Sequence, residues 1–256
     1  MEILEIPPAD LDVEGQLDAL AQRYRGAGGA GLQLLNLIGG QAESLLDRLP
    51  ENIRTQLDAQ TERALRLALR TARDSRGVVR DQPGWLNTAV TTAMGAAGGM
   101  GGLPSALAEL PVTTTILLRV IQGIAVEHGF DPHEEGVEFD CLQVFAAAGP
   151  LEADDGSDLA FISTRMIVTG QALQALIARV APRLGVVLGQ KLAAQSVPVL
   201  GAVAGAATNY AYTNYYQEMA HVHFGLRRLA ITADRDHAEL VEELRLRVEP
   251  PKVNRA

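Results

Sequence analysis

The chain has 256 residues, 47% of them hydrophobic but only 4% aromatic, a formal net charge of −9 and one cysteine, Cys141. That length can bury a substantial core, which here must be built from Ala, Leu, Val, Ile and Gly. The negative balance excludes a general nucleic-acid binder, whose phosphate contacts need a basic surface, and a single cysteine excludes an intrachain disulfide and fits a reducing compartment.

The opening MEILEIPPADLDVEG is acidic and proline-broken, where a secretory signal carries a basic flank and an apolar run. An intracellular, cytoplasmic chain is therefore expected, with peripheral attachment to the inner face of a membrane left open. Val13, Leu17, Leu20, Ala21 and Tyr24 recur at three- and four-residue spacing and predict a first amphipathic helix, ended by GAGGAG at residues 26–31. Leu32, Leu35, Leu45, Leu46 and Leu49 predict a second, interrupted or bent at Gly39 and Gly40. Pro50 suits the first turn of a long helix reaching about Arg80. Further helices are expected at Trp85–Gly102 and, after a short turn or helix at Pro104–Leu110, at Pro111–His128, closed by Gly129. The tetrapeptide Asp131-Pro132-His133-Glu134 reads as a capping box opening a helix to Ala148. After the acidic loop LEADDGSD, helices are expected at 159–180, 183–195, 198–231 and 234–248, before a frayed tail. No strand-alternating run, fixed-period repeat or interdomain linker breaks the pattern.

The uncharged run from Gln82 to Ala108 is 27 residues long, enough to cross a bilayer. It also holds two prolines, six glycines and four Thr or Ser residues and lacks Ile and Phe, so its hydropathy is modest for a lipid-facing helix. No Gly-Lys-Ser/Thr follows the glycines, which removes the phosphate-loop reading. Gly95 with Gly99, and Gly98 with Gly102, stand four apart and share a helix face where a second backbone can approach closely. Gly185 with Gly189 and Gly201 with Gly205 repeat the spacing. Interior packing of helices is the first reading; shallow membrane insertion and a true span are the alternatives.

The segment GGMGGLPSALAELPVTTTILLRVIQGIAVEHGFDP resembles the central block of the EcsC family, in its glycine run, its Leu-Pro turn and its apolar helix ending in Ile-Ala, two residues and Gly. VPVLGAVAGAATNYAYTNYYQEMAHVHFGLRRL resembles that family's other block, and DRLPENIRTQLDAQTERALRLALRTA its opening helix. The resemblance spans residues 45–232, flanked by N-terminal helices at 1–44 and a C-terminal helix with its tail at 233–256, all within one structural domain. It implies a bacterial α-helical protein whose physiology is linked to a membrane and an ABC transporter, and it carries over no catalytic residue.

Arg119 sits in the apolar helix TILLRVIQGIA, where a buried charge needs a partner such as Glu109 or another acid. A structural ion pair is the plainer reading; the functional one is a guanidinium holding the headgroup or carboxylate of an amphiphile. Arg63, Arg66, Arg70 and Arg73 advance by three, four and three residues and share one face, suited to anionic lipid or an acidic partner, or simply to water. Tyr212 and Tyr216 share a face with Met219 and His223, which suits either a bilayer interface and pocket rim or a polar-tipped core layer. His128, Asp131, His133, Glu134, Glu135, Glu138 and Asp140 are dense in metal-ligand types, but their spacing fits capping and helix-dipole roles better. His221 and His223, two apart, point to different faces. No GxSxG elbow supports a nucleophile, and Cys141 reads as core.

The expected protein is all-α, a single bundle of about nine to eleven helices with the Gly/Ala-rich helices central. Its expected role is non-enzymatic: binding an apolar chain or lipid, or docking at the cytoplasmic face of a membrane or on a transporter partner, with no metal, cofactor or nucleic acid. A hydrolase of dispersed residues and a structural adaptor of a transporter complex are the alternatives.

Overall fold

Apolar residues at helical spacing, with aromatic and β-branched residues too scattered to make strands, give a chain that buries itself through helix faces. The computed structural model describes residues 12–27, 51, 57–100, 102–146, 174–178, 181 and 198–248. Among these residues there are no strands and seven helices of twelve residues or more: α1 Val13–Ala27, α2 Leu57–Ser75, α3 Gly84–Met100, α4 Gly102–Glu127, α5 Glu135–Ala146, α6 Pro198–Thr232 and α7 His237–Val248. The expected helix at Leu32–Leu49, the Pro50 start, the LEADDGSD loop, most of the two helices at 159–195 with Gly185 and Gly189, and the tail lie outside the described residues.

The count of nine to eleven is too high where it can be compared, because one expected break is not a break. Helix α4 runs through Pro111, joining the segments expected to part there. Proline forfeits one helical hydrogen bond; buried Glu109 before it and buried Thr113 and Thr114 after it hold the helix on both sides. Two expected starts also shift. Asp131 caps only a turn, accepting from the His133 amide at 2.9 Å, and α5 begins at Glu135. Asp234, expected to open the last helix, instead closes α6 with φ at 50° while the Arg235 amide donates to the Ala230 carbonyl at 3.0 Å. Asp236 is the cap of α7, accepting from the Ala238 amide at 2.7 Å. Gly129 ends α4 as expected: at φ 84° it lets the Phe130 amide reach back to the Ala125 carbonyl at 2.9 Å.

Helix α6 is the axis of the fold, packing against α1, α3, α4, α5 and α7. Its lower half carries Tyr216, Met219, Phe224, Leu226 and Leu229, all buried, against Leu17 of α1, Leu118 and Ile121 of α4, Leu142 of α5 and Leu240 of α7. Its upper half is Gly- and Ala-rich and lies along α3. There, a Cβ on Gly95 would overlap the Gly205 carbonyl, and a Cβ on Gly99 would overlap the Gly201 carbonyl. Gly98 faces the other neighbour, where a Cβ would overlap the Glu109 carboxylate of α4. Gly102 opens α4. No helix among the described residues is long and apolar enough to cross a membrane.

The three-helix junction that results is polar at its centre. Asn209 donates to the Thr91 carbonyl and to Glu109 Oε1, each at 2.7 Å, Thr113 donates to the same oxygen at 2.9 Å, and the Thr91 and Thr213 hydroxyls meet at 2.8 Å. Hydrogen bonds so deep in an apolar bundle fix the register of α3, α4 and α6, since any slip strands buried polar groups.

Candidate functional site

Helix α2 ends because Gly77 follows Arg76 and the Ser75 carbonyl turns to accept from the amides of Val78 and Val79, at 3.1 and 2.8 Å. Pro83 then starts the next helix, its carbonyl accepting from the Leu86 and Asn87 amides. The connection between α2 and α3 therefore crosses the outer side of α4, and a cleft of about 420 Å³ lies beneath it. One wall is apolar, from Leu86, Val90, Ile116, Val120 and Ile124; exposed Val79, Arg80 and Gln82 form the rim.

Arg119 projects from α4 into this cleft. It donates through Nη2 to the Val79 carbonyl at 2.7 Å and to Asp81 Oδ1 at 3.0 Å. Arg76 donates to the other oxygen of the same carboxylate at 2.6 Å. Two guanidinium groups thus share one carboxylate, leaving a surplus positive charge on side chains only 11% and 13% exposed. The Nη1 nitrogens of both Arg76 and Arg119 are buried and donate to no acceptor among the described residues. Burial lowers the Arg119 pKa, Asp81 opposes that shift, and Arg76 adds to it. An anion at this point would satisfy the spare donors and the excess charge together.

The far end of the cleft is set by Gln217 and His221 of α6. Gln217 donates to the Gly84 carbonyl at 3.0 Å and to the Thr88 hydroxyl at 3.1 Å, tying the start of α3 to the axis helix. His221 Nδ1 and His128 Nε2 lie 3.2 Å apart, a separation at which one ring donates to the other. Burial, with Arg23 and His128 adding to it, pushes the His221 pKa down to about 4; burial, then Arg23 and Arg228, lowers that of His128. The pair is neutral at pH 7.

Of the residues singled out in the sequence, this cleft takes Arg119, with His221 opposite. Glu109 is not the partner of Arg119: ten positions along one helix put them about 15 Å apart, and Asp81 is the acid that meets it. Tyr212 and Tyr216 do not line the cleft. They are buried, Tyr216 stacked on Phe145 at 5.0 Å and within 6.1 Å of Tyr212, so their rings fill core space. His223 is buried too, edge-on to Phe224 and 3.7 Å from Asp140, whose carboxylate is bound by Arg227. Arg63, Arg70 and Arg73 are exposed on α2, whereas Arg66 is held by Glu62 at 2.6 Å and by Gln174. Arg73 stands 3.8 Å from both Asp74 and Glu138. Among the described residues no three His, Cys, Asp or Glu side chains converge to hold a metal.

Arg76, Asp81 and Gln217 were missed in the sequence. The alternation of arginine and aspartate through RDSRGVVRD was the available sign, a charge-rich turn between two apolar helices. Among known proteins, neither the curated set nor the solved structures contain a match to this chain. The family model described as the EcsC protein family matches residues 33–229, a span that takes in the cleft, the glycine contact of α3 with α6 and the polar junction. Since that match covers well over half of the sequence, the chain belongs to the EcsC family.

Proposed function

We propose that this EcsC-family protein is a binding protein for a single-chain amphiphile with an anionic head, working at the cytoplasmic face of a membrane. The head sits against Arg119, with Arg76 adding its charge through the shared Asp81 carboxylate, and the apolar chain lies along Leu86, Val90, Ile116 and Val120. The observation that carries this reading is the sharing of the Asp81 carboxylate by two buried guanidinium groups, each with an Nη1 that donates to no acceptor among the described residues. A volume of about 420 Å³ falls within the range of small-molecule sites, and a mostly apolar lining with a few convergent polar groups is their usual make-up. The His128–His221 pair at the opposite end is uncharged at neutral pH, and the exposed Glu127 beside it keeps an anionic head at the Arg119 end.

The test is native mass spectrometry of protein purified without detergent, followed by organic extraction. A fatty acid or lysophospholipid at about one per chain is expected, and Arg119→Met should lose it while keeping the helical circular dichroism of the parent. An Arg119→Met protein that retains the ligand, or a parent that carries none and takes up none from added fatty acid, rules the reading out.

A further inference from the structure

The connection over the cleft exposes apolar side chains that a water-facing turn does not need. Val78 is 87% exposed, Trp85 72% and Val79 51%. Single exposed apolar residues are ordinary, but these three stand within eight positions, on the connection and the first turn of α3. Val79 borders the cleft directly, and Trp85 lies between Gly84 and Leu86, which both line it. The charge around them runs against the rest of the chain. Residues 57–81 hold six arginines against Asp58, Glu62, Asp74 and Asp81, a surplus of two positive charges in a protein of net charge −9. Arg80 is exposed beside Val79, and Arg70 and Arg73 are exposed on the last turns of α2 leading into the same connection.

We propose that Val78, Val79 and Trp85 form a membrane-docking lip that enters the headgroup layer of an anionic bilayer, with exposed Arg80 beside Val79 facing its phosphates. Indole suits that depth because its ring prefers the boundary between water and hydrocarbon, and the valines add buried apolar area. Each arginine near an anionic surface strengthens attraction while the acidic remainder of the chain is held off, which orients the molecule with the cleft mouth against the lipid. The inference rests on the membrane reading of the function and supplies its contact surface: an amphiphile leaving the bilayer meets Val79 and Arg80 first, then Arg119.

Trp85 is the only tryptophan, so its fluorescence reports on the lip alone. The experiment is flotation together with emission spectra, using vesicles of phosphatidylcholine with one quarter phosphatidylglycerol and vesicles of phosphatidylcholine alone. The expected result is co-flotation with the anionic vesicles, a blue shift of the Trp85 emission, and loss of both at high salt. The variant carrying Val78→Asp and Val79→Asp, both on exposed side chains, should partition at least about tenfold less with unchanged circular dichroism. An unmoved Trp85 spectrum overturns the lip, whether the protein stays in solution or floats by some other surface, and so does a double variant that binds like the parent. Failure here leaves any ligand extracted from the cleft in place, whereas an empty cleft with intact docking overturns only the cleft reading.

Discussion

A Cβ built on Gly95 would fall on the backbone carbonyl of Gly205, so α3 and α6 touch through their main chains. The nearest atoms are main chain, with the hydrogen-bonded Asn209 amide nitrogen next at 2.8 Å, so the cost of a larger residue falls on the helix axes themselves. Gly95→Ala is expected to destabilise the fold by at least about 2 kcal/mol, read as a lower denaturation midpoint in urea. Gly136→Ala in α5, where a Cβ meets nothing within 4 Å, should be neutral or stabilising by up to about 1 kcal/mol. A Gly95→Ala gain equal to that of Gly136→Ala would show that helix propensity, and not contact, sets the effect.

Asn209 holds the polar junction together, because it donates to both the Thr91 carbonyl and the Glu109 carboxylate. Asn209→Leu removes those donors from buried acceptors, and a loss of about 2–4 kcal/mol is expected. Asn209→Asp should be worse than Asn209→Leu, since it sets a second carboxylate beside Glu109. Thermal melts of the two variants at pH 7 give the ranking, and an aspartate variant as stable as the parent would sink this account.

The His128–His221 pair makes stability depend on pH in a defined direction. Both folded pKa values lie below that of an unfolded histidine, near 6.5, and that of His221 is about 4. Between those values the unfolded chain binds more protons, so stability present above about pH 6.5 is lost as pH falls toward 4. Melting temperature should therefore drop from pH 7 to pH 4.5 more steeply in the parent than in His221→Gln. Parallel curves for the two proteins would remove the pair as the cause.

Cys141 is buried, and burial, with Asp140 adding to it, pushes its thiol pKa well above the ordinary range. The thiolate that reacts with disulfide reagents is thus nearly absent in the folded chain. Native protein is expected to leave Ellman's reagent unreacted over the minutes in which guanidinium-unfolded protein titrates one thiol. Rapid labelling without denaturant would mean that α5 opens locally.

Which helices form was readable because the pattern is local. Val13, Leu17, Leu20, Ala21 and Tyr24 predict α1, and all but half-buried Val13 are buried. Gly129 stops α4 through a φ that glycine adopts readily. Where local signals misled, a tertiary contact outweighed them: Pro111 stands inside a helix whose two flanks are buried. The candidate site was legible in Arg119, a lone cation in an apolar helix, and in His221; of the acids named for Arg119, Glu109 or one elsewhere, the partner is one elsewhere, Asp81.

The sequence by itself determined the all-α class, the faces on which helices pack and the small residues at their contacts, since each follows from spacing along one helix. Tertiary structure alone decided that Asp81, 38 positions before Arg119, supplies its carboxylate, and that Asn209 meets Glu109 across 100 positions. It also decided that Tyr212 and Tyr216 turn inward while Trp85 and Val78 turn out. A helical pattern specifies which side chains share a face; what that face meets depends on how whole helices dock, and docking is set by backbone approach at Gly95, Gly99, Gly201 and Gly205, not by any motif near the residues concerned.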